Sequence, residues 1–401
     1  FFLGFKFNTD MKSKMILFFV SFVMLFSACR NEDEPTLPAY GSRTVLIYMM
    51  AQNSLSPFAR LDMEEMIKGM KQVDATSNNL LVYIDDYSAP RLVRLGKNSK
   101  GQVVEEVVAN YPEQNSTDVA VMKKVISTAF NTYKAESYGM GFWSHGEGWI
   151  PSPAKTRWFG QDGNDYMNIA DLHEALQVAP KLDFLLFDAC FMESVEVAYA
   201  LRDCGDYMIS SPTEIPGVGA PYEDVVPAMF TAGNPTMKIV SAYYTYYENR
   251  YNDGVGLTNE NWTGGVSVGV AKMSELENLA AATAKILPKY VTGKTDFDLS
   301  GVMCYDRRYL ALYHDLDQYI YKLTAGNSDY DAWKAAFDKV MVYWKSTPRN
   351  YSAYVGMFTM DSKAKGLSTY IPMTNRESTN TSYRDTGWYK ASGWADTGWY
   401  K

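Results

Sequence analysis

The chain has 401 residues, with 46 Asp and Glu against 38 Lys and Arg, a formal net charge of -8 and an ordinary 47% of hydrophobic residues. That balance excludes a nucleic-acid partner, because holding phosphates takes a basic face. Length and hydrophobic content allow one large core-bearing domain with an accessory region.

The first element, Met11 to Cys29, reads as an export signal. Lys12 and Lys14 give a positive start, Met15 to Phe26 an apolar centre, and Phe26-Ser27-Ala28-Cys29 a small-residue processing site. The apolar run is short of the roughly 20 residues that span a bilayer. A signal ending in small residues and cysteine resembles the bacterial lipoprotein box. That implies cleavage before Cys29, acylation of its thiol and a place on the outer membrane of a Gram-negative envelope. Residues 1–10 precede Met11 and read as an upstream extension, which makes 1–29 extension plus signal. The acidic stretch 30–41 reads as a solvated tether. Residues 42–230 then form the expected core and 231–401 a C-terminal α+β region that completes it. With Cys29 assigned to lipid, Cys190, Cys204 and Cys304 remain, so an odd number of cysteines leaves at least one free thiol.

Along the body, Thr44 to Met50 is a β-rich apolar run that predicts a buried strand. Met63, Met66, Ile67, Met70 and Val73 follow at helical spacing. Asn79 to Ile84 predicts a second strand, and Arg91 to Leu95 with Gln102 to Val108 a hairpin. Ser116-Thr117-Asp118 marks the start of a helix through Phe130, and Met140 to Ser144 a strand that ends at His145. Ile150 to Gly163 reads as a connection, Ile169 to Leu176 as a short helix, and Leu182 to Phe187 as a buried strand running into Asp188-Ala189-Cys190. A helix over Glu193 to Arg202 and a strand over Tyr207 to Ser210 follow. This alternation predicts an α/β fold, a mostly parallel sheet with helices on both faces.

Further on, Pro235 to Tyr251 predicts a helix and Gly264 to Ala271 a strand, and Ser274 with Glu277 predicts a capping box for a helix towards Leu287. Helices are expected over Leu310 to Leu323 and Tyr330 to Lys345, and strands over Tyr351 to Met360 and Leu367 to Ile371. The chain ends in a small duplication, Asp385 to Lys390 and Asp396 to Lys401.

Three histidines and three cysteines outside the signal offer nine pairings. In an open parallel sheet, reactive groups gather beyond the carboxyl ends of the strands. Only His145 and Cys190 each follow a predicted central strand directly, which selects that pair as the place to look for chemistry. His173, His314, Cys204 and Cys304 read as packed or surface residues. No H-E-x-x-H pair offers a zinc site, so no metal ligand is predicted, and a G-x-S-x-G elbow is absent.

At these residues the sequence resembles the clostripain family of cysteine peptidases. The resemblance rests on Ser144-His145-Gly146, Asp188-Ala189-Cys190, Glu193 to Tyr199, Ser211 to Gly219 and Gln52-Asn53-Ser54-Leu55, and it covers most of residues 42–345. It implies a caspase-like sheet and hydrolysis through a Cys190–His145 dyad, with the N–H groups of Gly146 and Cys190 as oxyanion hole. It implies cleavage after Arg or Lys, with Asp188 in the specificity pocket; Glu214 is the alternative source of charge, and capping of the following helix the alternative role for Asp188. It also implies self-cleavage near Lys155 or Arg157, no cofactor for the chemistry and an allowance for calcium. The partners expected are polypeptides with a basic P1 residue and a membrane, the chain acting as a monomer. The competing expectation is a non-catalytic surface lipoprotein that captures peptides or glycans.

Overall fold

The computed structural model describes residues 40–149, 159–293 and 296–399. Cys29, Lys155 and Arg157 lie outside the described residues. Among those described, no helix is long and apolar enough to cross a membrane.

The opening apolar run forms β1 (Gly41–Met50), buried at every position but one. Pro57 sits in the first turn of α1 (Ser56–Met70), which turns Met63, Met66 and Met70 inward. Next come β2 (Asn78–Asp85) and the hairpin β3 (Arg91–Lys97) and β4 (Val103–Asn110). The Asp118 carboxylate caps α2 (Val119–Thr132) by accepting the N–H groups of Ala120 and Val121. β5 (Ala135–Trp143) delivers His145, and a small hairpin, β6 (Phe159–Asp162) and β7 (Asp165–Met167), precedes α3 (Ile169–Leu176). β8 (Leu182–Asp188) delivers Cys190, followed by α4 (Val195–Ala200) and β9 (Gly205–Ser210).

The second half supplies α5 (Tyr222–Met229), α6 (Thr236–Arg250), β10 (Ser267–Lys272) and α7 (Leu276–Val291). It continues with β11 (Tyr313–Asp315), α8 (Leu316–Thr324), α9 (Ser328–Val340) and β12 (Met341–Ser346). The hairpin β13 (Arg349–Ser352) and β14 (Gly356–Thr359), then β15 (Ser368–Tyr370), α10 (Glu377–Asp385) and α11 (Gly387–Ala391) end it.

Nine strands form one sheet in the order β12-β10-β9-β8-β5-β1-β2-β3-β4. Its five central strands, β9-β8-β5-β1-β2, run parallel, and both edges are antiparallel. Strand periodicity sorts the core. Val45, Ile47 and Met49 of β1 share one apolar cluster with Met66 of α1, Val225 of α5 and Ile239 of α6. Leu46, Tyr48 and Met50 face the other way, into a cluster with Ile126 of α2, Leu172 of α3, Val197 of α4 and Leu279 of α7. Helices thus cover both faces, as the alternation predicts.

Several elements depart from the sequence expectation. The helix expected over Tyr330 to Lys345 stops at Val340, and Met341–Ser346 becomes the edge strand β12, antiparallel to β10; pairing and the β-prone Val342-Tyr343-Trp344 override the helical spacing. The capping box of Ser274 does not form. Met273–Glu275 is a 3₁₀ turn, and Glu277 instead accepts from the Tyr199 hydroxyl and the Arg202 guanidinium. The helix expected from Leu310 begins at Leu316, because Tyr313–Asp315 pairs with β15 and the Asp315 carboxylate caps α8. The strand over Tyr351 to Met360 is a hairpin, and part of the connection Ile150 to Gly163 pairs as β6 with β7. The helix expected from Glu193 starts at Val195 under a Ser194 cap.

Candidate active site

β5 and β8 are parallel neighbours, with Trp143 in register with Asp188. Two strands that end side by side are about 5 Å apart, so Ser144-His145-Gly146 emerges beside Ala189-Cys190. The two groups selected from the sequence, together with Gly146, Asp188 and Glu214, line one cleft of about 260 Å³ whose wall also includes Leu55, Ile215 and Tyr354. A larger hollow of about 760 Å³ lies at the opposite, amino ends of the strands. There the Arg43 guanidinium donates to Asp183 and to the carbonyls of Met229, Thr231 and Gly233, a structural brace, and neither a cysteine nor a histidine is among the lining residues.

The His145 ring is held at Nε2 by the Ser54 hydroxyl at 2.8 Å, from the segment that leads into α1. Its carbonyl accepts the Gly160 N–H at 3.0 Å, which ties the histidine turn to β6. Burial holds the imidazole below its ordinary pKa. Cys190 is half-buried, and its sulfur accepts the Ile215 N–H at 3.4 Å. Burial pushes the thiol up to about 12, and the negative charges of Glu214 and Asp188 add to the rise. Imidazole and thiol are therefore both neutral at rest.

The backbone around them is tightly constrained. A Cβ on Gly146 would lie 2.7 Å from the Cys190 carbonyl oxygen, 2.9 Å from the Ala189 Cβ and 3.2 Å from the Cys190 nitrogen. Glycine is required for that approach, which brings the 145–146 peptide against that of Cys190. Phe191 takes φ of 60°, in the left-handed region that costs an aromatic residue about 1–2 kcal/mol. Its N–H is tied to the Thr213 carbonyl, and the Glu193 N–H to that of Ser211.

Asp188 is 4% exposed and does not cap α4, which is capped by Ser194. Its two carboxylate oxygens accept the Ala220 N–H, each at 3.0 Å. Gly219, at φ of 62°, leaves room for that carboxylate, since a Cβ there would reach Oδ2 at 2.6 Å. Burial raises Asp188 to about 6, opposed by the Ala220 bond and the Tyr222 hydroxyl. Beneath it lies Asp62, also buried, accepting the Trp143 indole N–H at 2.6 Å and raised to about 9 by burial and by Asp188. Burial raises both carboxyls, and their proximity disfavours two negative charges on the pair at once. Glu214 accepts the Ala353 N–H at 3.0 Å, and burial raises it as well.

Sequence reasoning assigned no role to the groups that brace these turns. Ser54 is one. Another is Arg308, which pairs with Glu147, the residue after Gly146, and with Asp306. The Tyr313 hydroxyl donates to the Glu147 carbonyl at 2.6 Å. These contacts join residues far apart in sequence, and no local motif announces them. Of the pairs set aside, Cys304 opposes His314 across an isolated bridge, and neither lines the cleft.

A parallel α/β sheet whose adjacent strand ends bring a thiol and an imidazole to one cleft defines a cysteine hydrolase architecture. The profile of the clostripain family matches residues 47–399, and the chain belongs to that family of cysteine peptidases, with its caspase-like fold. Clostripain of Hathewaya histolytica is 26% identical over 217 residues, which span 45% of this chain and 41% of that protein. The crystal structure of a secreted C11 cysteine protease from Bacteroides thetaiotaomicron, in complex with an irreversible peptide inhibitor, is 48% identical. It covers 89% of this chain and all of that one, with a TM-score of 0.83. A B. fragilis cysteine protease is 75% identical over 61% of this chain and all of that one, with a TM-score of 0.60.

Proposed function

We propose that this chain is an endopeptidase that cleaves polypeptides after Arg or Lys, with Cys190 as nucleophile and His145 as its proton acceptor and donor. The observation that carries the reading is the convergence of Cys190, His145, Gly146 and Asp188 on one cleft. As the Cys190 sulfur attacks the scissile carbonyl, its proton passes to His145. The oxyanion is met by the N–H groups of Gly146 and Cys190. His145 then protonates the leaving amine, and water, activated by the same imidazole, hydrolyses the thioester. The Ser54 hydroxyl fixes the ring in the plane this relay needs.

The specificity reading rests on charge. Asp188, a buried carboxyl next to Asp62, and Glu214 both line the cleft, so a guanidinium or ammonium at P1 gains a charge-assisted contact. The reaction runs on side chains and needs no cofactor. Export and acylation at Cys29 are supported by the signal that precedes it. Self-cleavage near Lys155 or Arg157 is supported by the place of both basic residues between the His145 turn and β6.

The test is release of fluorophore from Arg-P1 and Lys-P1 peptides under reducing conditions, with Cys190→Ala as control. Turnover confined to basic P1 and abolished in the control is expected. No Cys190-dependent release would leave a peptide- or glycan-binding lipoprotein as the better reading.

A further inference from the structure

At the end of the sheet away from the cleft, α3 and the turn before β9 bring four polar side chains together. His173 and Gln177 lie one helical turn apart and share a face of α3. Asp203 and Cys204 come from the turn that follows α4. His173 Nε2 is 2.9 Å from Asp203 Oδ1, and the Cys204 sulfur is 3.7 Å from that same oxygen. The amide end of Gln177 is 3.2 Å from His173 Nε2 and 3.8 Å from the Cys204 sulfur. The donor atoms of His173, Asp203 and Cys204 all lie within 4.8 Å of one another.

These separations are close to the edges of a tetrahedron around a zinc ion. With Zn–N and Zn–O of about 2.0–2.2 Å and Zn–S of about 2.3 Å, donors must sit roughly 3.3–3.7 Å apart. The two separations to Asp203 Oδ1 need shifts of a few tenths of an ångström at most, and side-chain rotation closes the third, which lies within 4.8 Å. Burial suits the role too. Cys204 is 7% exposed, while the side chains of His173 and Asp203 are 35% and 58% exposed, so the thiol is fixed and the other two open a path for the ion.

We propose that His173, Asp203 and Cys204 bind a zinc ion, with a water completing the tetrahedron, or the Gln177 amide oxygen once that amide turns over from the orientation in which its nitrogen faces the cluster. One imidazole, one carboxylate and one thiolate form a borderline-soft set that favours zinc over calcium or magnesium. On binding, the Cys204 thiol releases its proton to solvent and the sulfur bonds to the metal. His173 gives up the Nε2 proton it shares with Asp203, leaving the ring neutral with its proton on Nδ1 and Nε2 free to bind the metal. The ion staples α3 to the end of α4, the helix that follows the nucleophile turn. It uses none of the residues of the cleft.

The test takes the full chain as Cys190→Ala, which removes the thiol of the other Cys–His pair lining a cleft, and titrates it with cobalt(II) as a spectroscopic stand-in for zinc. One equivalent is expected to produce a thiolate-to-cobalt charge-transfer band and the strong visible bands of a tetrahedral site, both erased by added zinc. Cys204→Ala should lose the charge-transfer band. His173→Ala, a change at a part-exposed position, should weaken zinc binding against a chromophoric chelator by about tenfold or more. A band that survives Cys204→Ala, or zinc affinity unchanged in His173→Ala, would overturn the site and leave an ordinary His173–Asp203 ion pair beside a buried thiol. If Cys204→Ala does not fold, His173→Ala decides alone.

Discussion

The Arg308 guanidinium lies over the Phe191 ring, 4.4 Å from its centroid. Phe191 is the residue after Cys190 and holds a left-handed backbone, while the same guanidinium pairs with Glu147 on the histidine turn and grips the fully buried Asp306 carboxylate. One side chain therefore braces both turns of the site from the C-terminal half. Its planar fork and its stacking surface are what lysine lacks. Arg308→Lys is expected to lower kcat several-fold with KM little changed. Arg308→Ala should in addition destabilise the fold by about 3–5 kcal/mol, because it strands the Asp306 charge. Kinetics beside thermal melts separate the two effects. A lower melting temperature with an intact kcat would reduce Arg308 to a structural brace.

Gly146 allows a sharper test of the oxyanion site. Its missing Cβ lets the 145–146 peptide approach the backbone of Ala189 and Cys190, and an added methyl would meet backbone atoms that cannot step aside. Gly146→Ala should cut kcat by about 10²–10³, the loss typical of a displaced oxyanion donor. An alanine variant within a few-fold of wild type would place the donors elsewhere.

Asp188 links specificity to pH. Its carboxyl, raised by burial to about 6, is charged above that pH and neutral below it, so cleavage after Arg should rise through pH 6. Asp188→Asn should flatten that limb and lower kcat/KM for basic P1 by about 10–100-fold, the range of a hydrogen bond to a charged group. Stability moves the other way. An acid whose folded pKa lies above its unfolded value of about 3.9 favours the folded state below that value and loses the contribution as pH rises through 6. Asp188→Asn should therefore melt higher than wild type at pH 8 and close to it at pH 4. Equal melting temperatures at pH 8 would argue that the carboxylate is better solvated than its 4% exposure implies.

How much of this was legible in the sequence follows from what each feature depends on. β1, β2 and β8 are short apolar runs buried along nearly their whole length, and β5 is one over its second half, so composition alone marks them, and the ends of β5 and β8 mark His145 and Cys190. β12 was read as helix because Met341–Ser346 becomes a strand only by pairing with β10. α5 carries Pro227 in its interior and α10 is rich in polar residues, so neither offers a periodic apolar stripe. Apart from Arg308 on Asp306, two positions away, the bracing contacts are tertiary. Tyr313 and Glu147 are 166 positions apart, and the donors at His173 and Cys204 meet only because α3 packs beside the turn that enters β9.

The resting state of the dyad carries the last prediction. Burial raises the Cys190 thiol to about 12 and lowers the His145 imidazole, and both shifts favour the neutral pair over a thiolate–imidazolium pair. In the proposed mechanism the thiolate is then generated as His145 takes the proton during attack, once substrate has displaced water from the cleft. Alkylation of the free enzyme by iodoacetamide, which reports thiolate directly, should rise steadily between pH 6 and about 9, with no reactive plateau at acid pH. A Cys190-dependent rate that stays high at pH 5 would mean that the ion pair is already formed. In that case the charge of Asp188 and Glu214 would have to be offset by protonated His145 before substrate arrives.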